Sequence, residues 1–331
     1  MNKNLILLAL FALLGGGSYF FLKNKNPKST LRDEKNTFAV EDTASIGKIF
    51  LADMKGRTTL IERKGHWWQI NSTFRANENR MKNLLETLYG MQVAYPTPEA
   101  SIDGSLKAIA ARGIKVEIYD RKNEKIKVFY IGGANLNESA TTMLMEGSST
   151  PYLMNLPTSY GGLRTRFNVE SEEWRDRNVF AEGIENIQSV SIDYPFQKSK
   201  SFKLDLTNAG YEVTPFYANI PRSTKAYRKG FAEAYLAQYE KLAAEAIDNN
   251  NPARDSVISQ PCFCIINLKN KQGIEHVLRI HPINQVRTDE ESNPYITKVD
   301  RYFAHSSKGD LFLIQNAVFQ KVFWAYSSFF E

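Results

Sequence analysis

Short runs of alternating hydrophobic and polar residues cover much of the chain, and most of them end at turn residues. Alternation with a period of two predicts half-buried β-strands. In the first half the predicted strands are residues 46–53, 57–63, 66–71, 115–120, 125–132, 141–146 and 152–156, and residues 163–167 close the half. In the second half they are residues 187–194, 201–206, 211–215, 264–268, 274–283, 300–305 and 311–315.

Helical spacing of apolar residues predicts fewer elements. In the first half, Met81, Leu84 and Leu88 place a helix over residues 79–91, and a short second helix is predicted over residues 105–112. In the second half, an aromatic row beginning at Tyr227 predicts a long helix, and an amphipathic helix is predicted at the end of the chain. These two helices cover residues 224–247 and 316–330.

The order of these elements repeats along the chain. Three strands, a helix, four strands and a helix occur in each half, and Trp68-Gln69-Ile70 falls where Tyr211-Glu212-Val213 does. We therefore expect an α+β fold of two similar halves, each mostly an antiparallel sheet with helices packed on one side. This is one internal duplication, because a solenoid would need more repeats of a shorter period. The predicted boundaries are a first repeat at 37–169, a joint at 170–180 and a second repeat at 181–331.

The chain starts with an uncharged apolar stretch from Leu5 to Leu22, between Lys3 and Lys23. It predicts either a retained membrane anchor or a cleaved signal peptide. Cleavage at the small residues Gly15 to Ser18 would leave an apolar new terminus, so we favour an anchor at 1–22, followed by a polar tether at 23–36. The short N-terminal tail predicts that the rest of the chain faces outward, whereas the basic residues after Leu22 predict the opposite.

Composition and charge restrict the classes of function that fit the chain. A chain of 331 residues with 43% hydrophobic and 24% charged residues has material for two folded domains. Six cations and two anions in residues 1–36 account for most of the net charge of +6. The remainder carries both signs interspersed, so nucleic acid is not an expected partner.

Candidate catalytic and metal-ligating residues each have a simpler interpretation. Glu172, Glu173 and Asp176 resemble an acid–base cluster, but with Arg175 and Arg177 beside them an ion-pair network is favoured. His276 and His281 lie on opposite faces of one predicted strand, so they cannot share a metal. Cys262 and Cys264 form neither a zinc motif nor an unstrained disulfide, which predicts buried thiols. Gly132-Gly133 lacks the rest of a phosphate-loop motif and is predicted to be a turn. We expect no catalytic residue, metal or cofactor.

Aromatic residues give the best candidates for binding. Trp67 and Trp68 are adjacent on a predicted strand and therefore point to opposite faces, so one is expected in the core and the other at the surface. Trp174 is predicted to pack where the halves meet, and a ligand is expected in a groove between them. The predicted binding residues are Trp67, Trp68, Trp174, Arg175 and Arg177.

Several stretches together resemble a bacterial membrane-anchored family that shares a domain of unknown function. They are residues 38–43, 49–53, Trp68-Gln69-Ile70-Asn71, 84–88, Ile131-Gly132-Gly133 and Glu172-Glu173-Trp174-Arg175-Asp176-Arg177. A related domain occurs in accessory proteins of the ABC-type transporter linked to gliding motility. The resemblance covers nearly the whole chain, with a departure at 148–162. It implies a single-pass anchor and an extracytoplasmic domain, and no known catalytic residue.

Together these observations predict a non-enzymatic binding or scaffolding module, tethered to the inner (cytoplasmic) membrane and facing the periplasm. A protein partner in the cell envelope is expected. One alternative is an accessory subunit of an ABC-type transport or gliding-motility machine. The other is an envelope hydrolase that uses Glu172 or Glu173.

Overall fold

The alternating patterns of the first half fold into one antiparallel sheet in the computed structural model of the chain, which describes residues 38–283, 286–288, 294–296 and 299–331. The described chain divides into two compact units, the first ending at Trp174 and the second beginning at Arg175. This division falls inside the predicted joint, and each unit has a hydrophobic core of its own residues. An α+β fold dominated by antiparallel sheets is confirmed.

Nine strands form the sheet in the described part of the first unit, in the order β4-β3-β2-β1-β6-β7-β8-β9-β5. They are β1 (Ile46–Asp53), β2 (Thr58–Lys64), β3 (Trp67–Ile70), β4 (Phe74–Arg75), β5 (Gln92–Pro96), β6 (Ile114–Asp120), β7 (Lys125–Ala134), β8 (Thr141–Met145) and β9 (Tyr152–Asn155). Every neighbouring pair is antiparallel. Residues 163–167 contribute a 3₁₀ turn, Arg164–Phe167.

Three α-helices accompany this sheet in residues 38–174: α1 (Glu78–Gly90), α2 (Glu99–Arg112) and α3 (Ser171–Trp174). The side chain of Asn77 accepts a hydrogen bond from the Arg80 N–H and caps α1. Met81 and Leu84 of α1 lie in the same core as Ile49 of β1.

The prediction that the helices pack on one side of the sheet is wrong for α2. Helix α2 packs on β7, where Ile109 faces Gly132. The preceding residue of β7, Ile131, belongs to the core that α1 joins, whereas Ile109 does not. Successive strand residues point to opposite faces, so α2 covers the face that α1 leaves open.

The second unit contains an eight-stranded antiparallel sheet in its described part, in the order β13-β12-β11-β16-β17-β20-β21-β15. Two short strand pairs, β10–β14 and β18–β19, accompany it. The strands are β10 (Asn178–Phe180), β11 (Ile187–Asp193), β12 (Phe202–Thr207), β13 (Gly210–Pro215), β14 (Leu242–Ala243), β15 (Ala246–Ile247), β16 (Cys264–Asn270), β17 (Glu275–Pro282), β18 (Val286–Thr288), β19 (Pro294–Ile296), β20 (Arg301–Ser306) and β21 (Leu311–Gln315).

The helices of the second unit are shorter than the sequence predicts. The α-helices in its described residues are α4 (Phe231–Leu236), α5 (Arg254–Ser259) and α6 (Asn316–Phe319). The long helix predicted over 224–247 is wrong, because Gly230 precedes α4 with a left-handed φ of 83°, and Leu242–Ala243 and Ala246–Ile247 form strands. The terminal helix predicted over 316–330 is also wrong. After α6 the chain continues as two 3₁₀ turns, whose Val322 and Phe329 are buried in the core.

The two large sheets have matching strand orders. In each, three consecutive strands run in reverse order (β3-β2-β1 and β13-β12-β11), and the last four strands of that sheet follow them (β6-β7-β8-β9 and β16-β17-β20-β21). A strand from the connecting segment closes each sheet, β5 beside β9 and β15 beside β21. Each of these closing strands lies between two helices in the chain.

Candidate functional site

The turn between β2 and β3 positions the two adjacent tryptophans. Gly65, with a φ of 65°, reverses the chain, and strand alternation then separates the side chains that follow it. Trp68 is 7% exposed and lies in the core of the first unit, whereas Trp67 is half-buried. The Arg63 guanidinium lies 4.3 Å from the centre of the Trp68 ring, so a cation–π contact supports this tryptophan.

Two backbone carbonyls hold the Arg63 side chain in place. Its Nε donates to the Ile46 carbonyl at 2.8 Å, and its Nη2 donates to the Thr43 carbonyl at 3.1 Å. Burial, and then repulsion by the Arg121 guanidinium, lower the pKa of Arg63. These contacts fix the Arg63 guanidinium against the Trp68 ring.

Helix α1 supplies the opposite wall. Met81, Leu85 and Tyr89 recur at four-residue spacing and therefore line one flank of the helix, about 12 Å in length. Together with the two tryptophans they enclose a groove of about 540 Å³, which we call the aromatic groove. Tyr89 is 64% exposed although it lines this groove. The remaining lining residues are Thr43, His66, Ala76, Glu78, Lys82 and Glu86.

The charged rim of the aromatic groove is internally paired. Lys82 Nζ lies 3.8 Å from Glu86 Oε1, and Arg75 Nη2 lies 2.8 Å from Glu78 Oε1. All four side chains are exposed, so these pairs contribute little stability. They leave an apolar groove with a nearly neutral polar border.

Comparisons with models of protein families, with curated proteins and with solved structures found no match to this chain. The resemblance drawn from the sequence therefore stays a prediction.

The other predicted binding residues do not join the aromatic groove. Trp174 is buried in the core of the first unit, and its Nε1 donates to the Asn168 carbonyl at 2.7 Å. Its own carbonyl accepts the N–H of Asn77, so it fixes the start of α1. This accounts for Trp174 as a packing residue within one unit.

Arg175 and Arg177 belong to the second unit and are engaged there. The Arg175 side chain is 7% exposed, and its guanidinium forms a bidentate salt bridge with the Asp310 carboxylate, with distances of 2.9 and 2.7 Å. Burial raises the pKa of Asp310, but hydrogen bonds from that guanidinium and from the Asn249 side-chain amide outweigh burial and hold the pKa below its ordinary value. Arg177 donates to the Glu245 carbonyl at 2.6 Å.

The carboxylates of the predicted joint contact different local partners. Glu173 pairs with Arg80 at 2.6 Å, Glu172 accepts from the Ser171 hydroxyl, and Asp176 accepts from the backbone and side chain of Asn178. This arrangement fits an ion-pair and capping network.

In the part of the chain that the structure describes, no cluster of histidine, cysteine and acidic side chains could hold a metal. Cys264 is buried and Cys262 is half-buried, and both thiols are free. Every helix in the described residues is too short or too polar to cross a membrane. The predicted anchor at 1–22 and tether at 23–36 lie outside those residues.

Proposed function

We propose that this chain is a non-enzymatic binding module, and that its aromatic groove holds a segment of a partner protein. The observation that carries the proposal is the joining of Trp67, Leu85 and Tyr89 into one concave apolar surface over the buried Met81. Aromatic residues and methionine are enriched at the centres of protein interfaces, and a polar rim is typical around them.

The polar border favours a peptide over a carbohydrate as the ligand. A sugar that stacks on an aromatic ring also needs rigid hydrogen-bonding groups beside that ring. The charged residues of the border of the aromatic groove, Glu78, Lys82 and Glu86, have long and exposed side chains that are already paired. Such side chains suit the wet rim of a protein contact.

Membrane tethering is part of the same proposal. The apolar stretch from Leu5 to Leu22 and the polar residues 23–36 support an anchor in the inner membrane and a flexible tether. The described units then face the periplasm and act by localisation. An accessory role in an ABC-type transport or gliding-motility machine is the alternative that the family resemblance suggests. It differs from the first proposal in the identity of the partner.

We also propose that the two units descend from one duplicated unit. The matching strand orders of the two sheets support this, since unrelated units would have little reason to share a closing strand from the same connecting segment. An experimental structure tests it by superposition. We expect the eight strands that the two sheets share to agree in order and direction. A different order in either sheet would refute the duplication.

The binding proposal is tested by photo-crosslinking in intact cells. A benzophenone amino acid replaces Tyr89 in one variant and Tyr160 in the control. Both tyrosines are strongly exposed in the first unit, but Tyr160 does not line the aromatic groove. We expect a protein adduct of defined mass from position 89 and none from position 160.

A second pair of variants links that adduct to the groove. Leu85→Glu places a charge in the apolar wall, whereas Leu136→Glu places the same charge at a fully exposed loop position. The adduct should disappear only in the first variant. Identical adducts at positions 89 and 160, or an adduct that survives Leu85→Glu, would rule out the aromatic groove as the binding surface.

A further inference from the structure

A second groove lies in the first unit between α2 and the end of β7. It has a volume of about 550 Å³, and we call it the basic groove. Among the described residues that line it are two arginines, Arg112 and Arg164, and no carboxylate. Hydroxyl groups come from Ser101, Ser105 and Thr142. The lining is therefore cationic and rich in neutral donors.

Arg164 is fixed in this groove by the backbone. Its Nη1 lies 3.0 Å from the carbonyl oxygens of both Ile131 and Gly132, and its Nη2 donates to the Arg112 carbonyl at 2.7 Å. These three bonds use at most three of the five N–H donors of a guanidinium. At least two N–H donors are not used by these bonds, on a group whose position is set before binding.

Arg112 supplies a second cation at the end of α2. Its side chain is exposed and has no ion pair or hydrogen bond within the described residues. Burial, and then repulsion by Arg112, lower the pKa of Arg164. Two guanidinium groups that repel each other across a groove are both stabilised when an anion binds between them.

The floor of the basic groove is a β-bulge. Ile131 pairs with Met143 and Ala134 pairs with Thr141, so β7 has one residue more than β8 in this interval. The extra residue belongs to Gly132-Gly133, which takes backbone groups out of the regular ladder. Two carbonyl oxygens at this bulge, those of Ile131 and Gly132, accept hydrogen bonds from Arg164 and hold its guanidinium in the groove.

An interior glycine of α2 keeps the groove open. Gly104 lines the groove, and a Cβ added there would meet no heavy atom within 4 Å. Glycine destabilises a helix interior relative to alanine. Packing gives no reason for a glycine at this position, whereas an open groove does.

We propose that the basic groove binds a small phosphorylated molecule, with Arg112 and Arg164 on its phosphate group. Guanidinium groups match the geometry of phosphate oxygens, and hydroxyls and exposed backbone groups complete such sites. The groove is much larger than a phosphate ion and is in the range of small-molecule sites, so the ligand has an organic part that lies along α2. This surface is separate from the aromatic groove, so each proposal fails independently.

Calorimetric titration of the full-length protein in detergent micelles tests this, with glucose 1-phosphate as the probe and glucose as its uncharged counterpart. We expect a dissociation constant below about 1 mM for the phosphate and no binding of glucose. Arg112→Gln should weaken binding at least about tenfold, because a charge-assisted contact is lost. The matched control is Lys107→Gln, which removes the same charge from the same helix outside the groove.

Filling the groove gives a second, charge-independent measurement. Gly104→Leu should abolish binding, whereas Ala111→Leu, on an exposed position of α2 outside the lining, should leave it unchanged. If Arg112→Gln and Lys107→Gln weaken binding equally, the attraction is a non-specific effect of positive charge, and the proposal is overturned. Equal binding of glucose, the absence of any binding, or binding that occurs only to phosphatidylglycerol vesicles and not to glucose 1-phosphate would also overturn it.

Discussion

The buried ion pair between Arg175 and Asp310 makes its two residues dependent on each other. The Asp310 carboxylate accepts two hydrogen bonds from the guanidinium and one from the Asn249 side-chain amide. Removal of one partner from a buried pair leaves an uncompensated charge. We therefore expect Arg175→Met to lower the free energy of unfolding of the second unit by about 3–5 kcal/mol.

Denaturant unfolding measures this loss, and a double variant locates its cause. Arg222 and Glu212 form a pair of similar length, 2.9 Å, but both side chains are exposed. Arg222→Met should change stability by no more than about 1 kcal/mol. If the double variant Arg175→Met with Asp310→Leu loses as much unfolding free energy as Arg175→Met alone, the unpaired carboxylate is not the source of the loss.

His281 gives the second unit a pH-dependent stability. It is 3% exposed on β17, and burial, then repulsion from His305 and Arg279, lower its pKa below the ordinary 6.5. The unfolded chain binds more protons once the pH falls below that ordinary value. The stability contributed by neutral His281 is therefore present above pH 6.5 and is lost as the pH falls through the lowered pKa.

Unfolding measurements between pH 7.5 and 5 check this expectation. His281→Phe keeps an aromatic ring of similar size and removes the titrating group. Because the pKa values of His276 and His305 are also lowered by burial, the variant should show a shallower decline rather than a flat profile. A decline as steep as that of the unchanged chain would show that His281 does not contribute.

Among the secondary-structure elements, two glycines of the basic groove should respond in opposite directions to the same substitution. Gly104 faces open space inside α2, so Gly104→Ala should stabilise the first unit by about 0.5–1 kcal/mol. At Gly132 an added Cβ would lie 3.0 Å from Ile109 Cγ1 and 3.1 Å from the Thr142 carbonyl oxygen. Gly132→Ala should therefore destabilise it by about 1–3 kcal/mol. Paired thermal melts decide this, and equal signs would contradict it.

The longer strands were predictable because one face of each is buried. Alternation placed the first strand over residues 46–53, the bounds of β1, and the strand over residues 311–315 matches β21. The two-residue strands β14 and β15 could not be found in this way. The alanine-rich stretch around them favours a helix locally, but pairing with β10 and β21 outweighs that propensity.

The candidate sites could be predicted only in part, because helix packing and contacts between residues far apart in the chain also determine them. The separation of Trp67 from Trp68 follows from strand alternation alone. Which flank of α1 stays uncovered, and hence the role of Tyr89, depends on how that helix packs. Arg112 and Arg164 meet through a contact between residues 52 positions apart, for which the sequence has no local pattern.

At the scale of the whole molecule, the two hydrophobic cores consist of different residues. Phe129 and Ile131 belong to the core of the first unit, and Phe202 and Tyr235 to the core of the second. Phe129 and Phe202 are both fully buried, and each packs edge-to-face against other aromatic rings of its own unit. Truncation of either side chain to alanine leaves a cavity in one core only.

We expect Phe129→Ala and Phe202→Ala each to cost about 3–5 kcal/mol, with the loss confined to one unit. Hydrogen exchange followed by mass spectrometry measures this strand by strand, since protected amides report the local free energy of opening. Phe129→Ala should accelerate exchange in β1, β6 and β7, and Phe202→Ala in β11, β12 and β16. Acceleration of both sheets by either variant would show that the units open as one cooperative structure, because the cost of a cavity would then be shared by residues that do not line it.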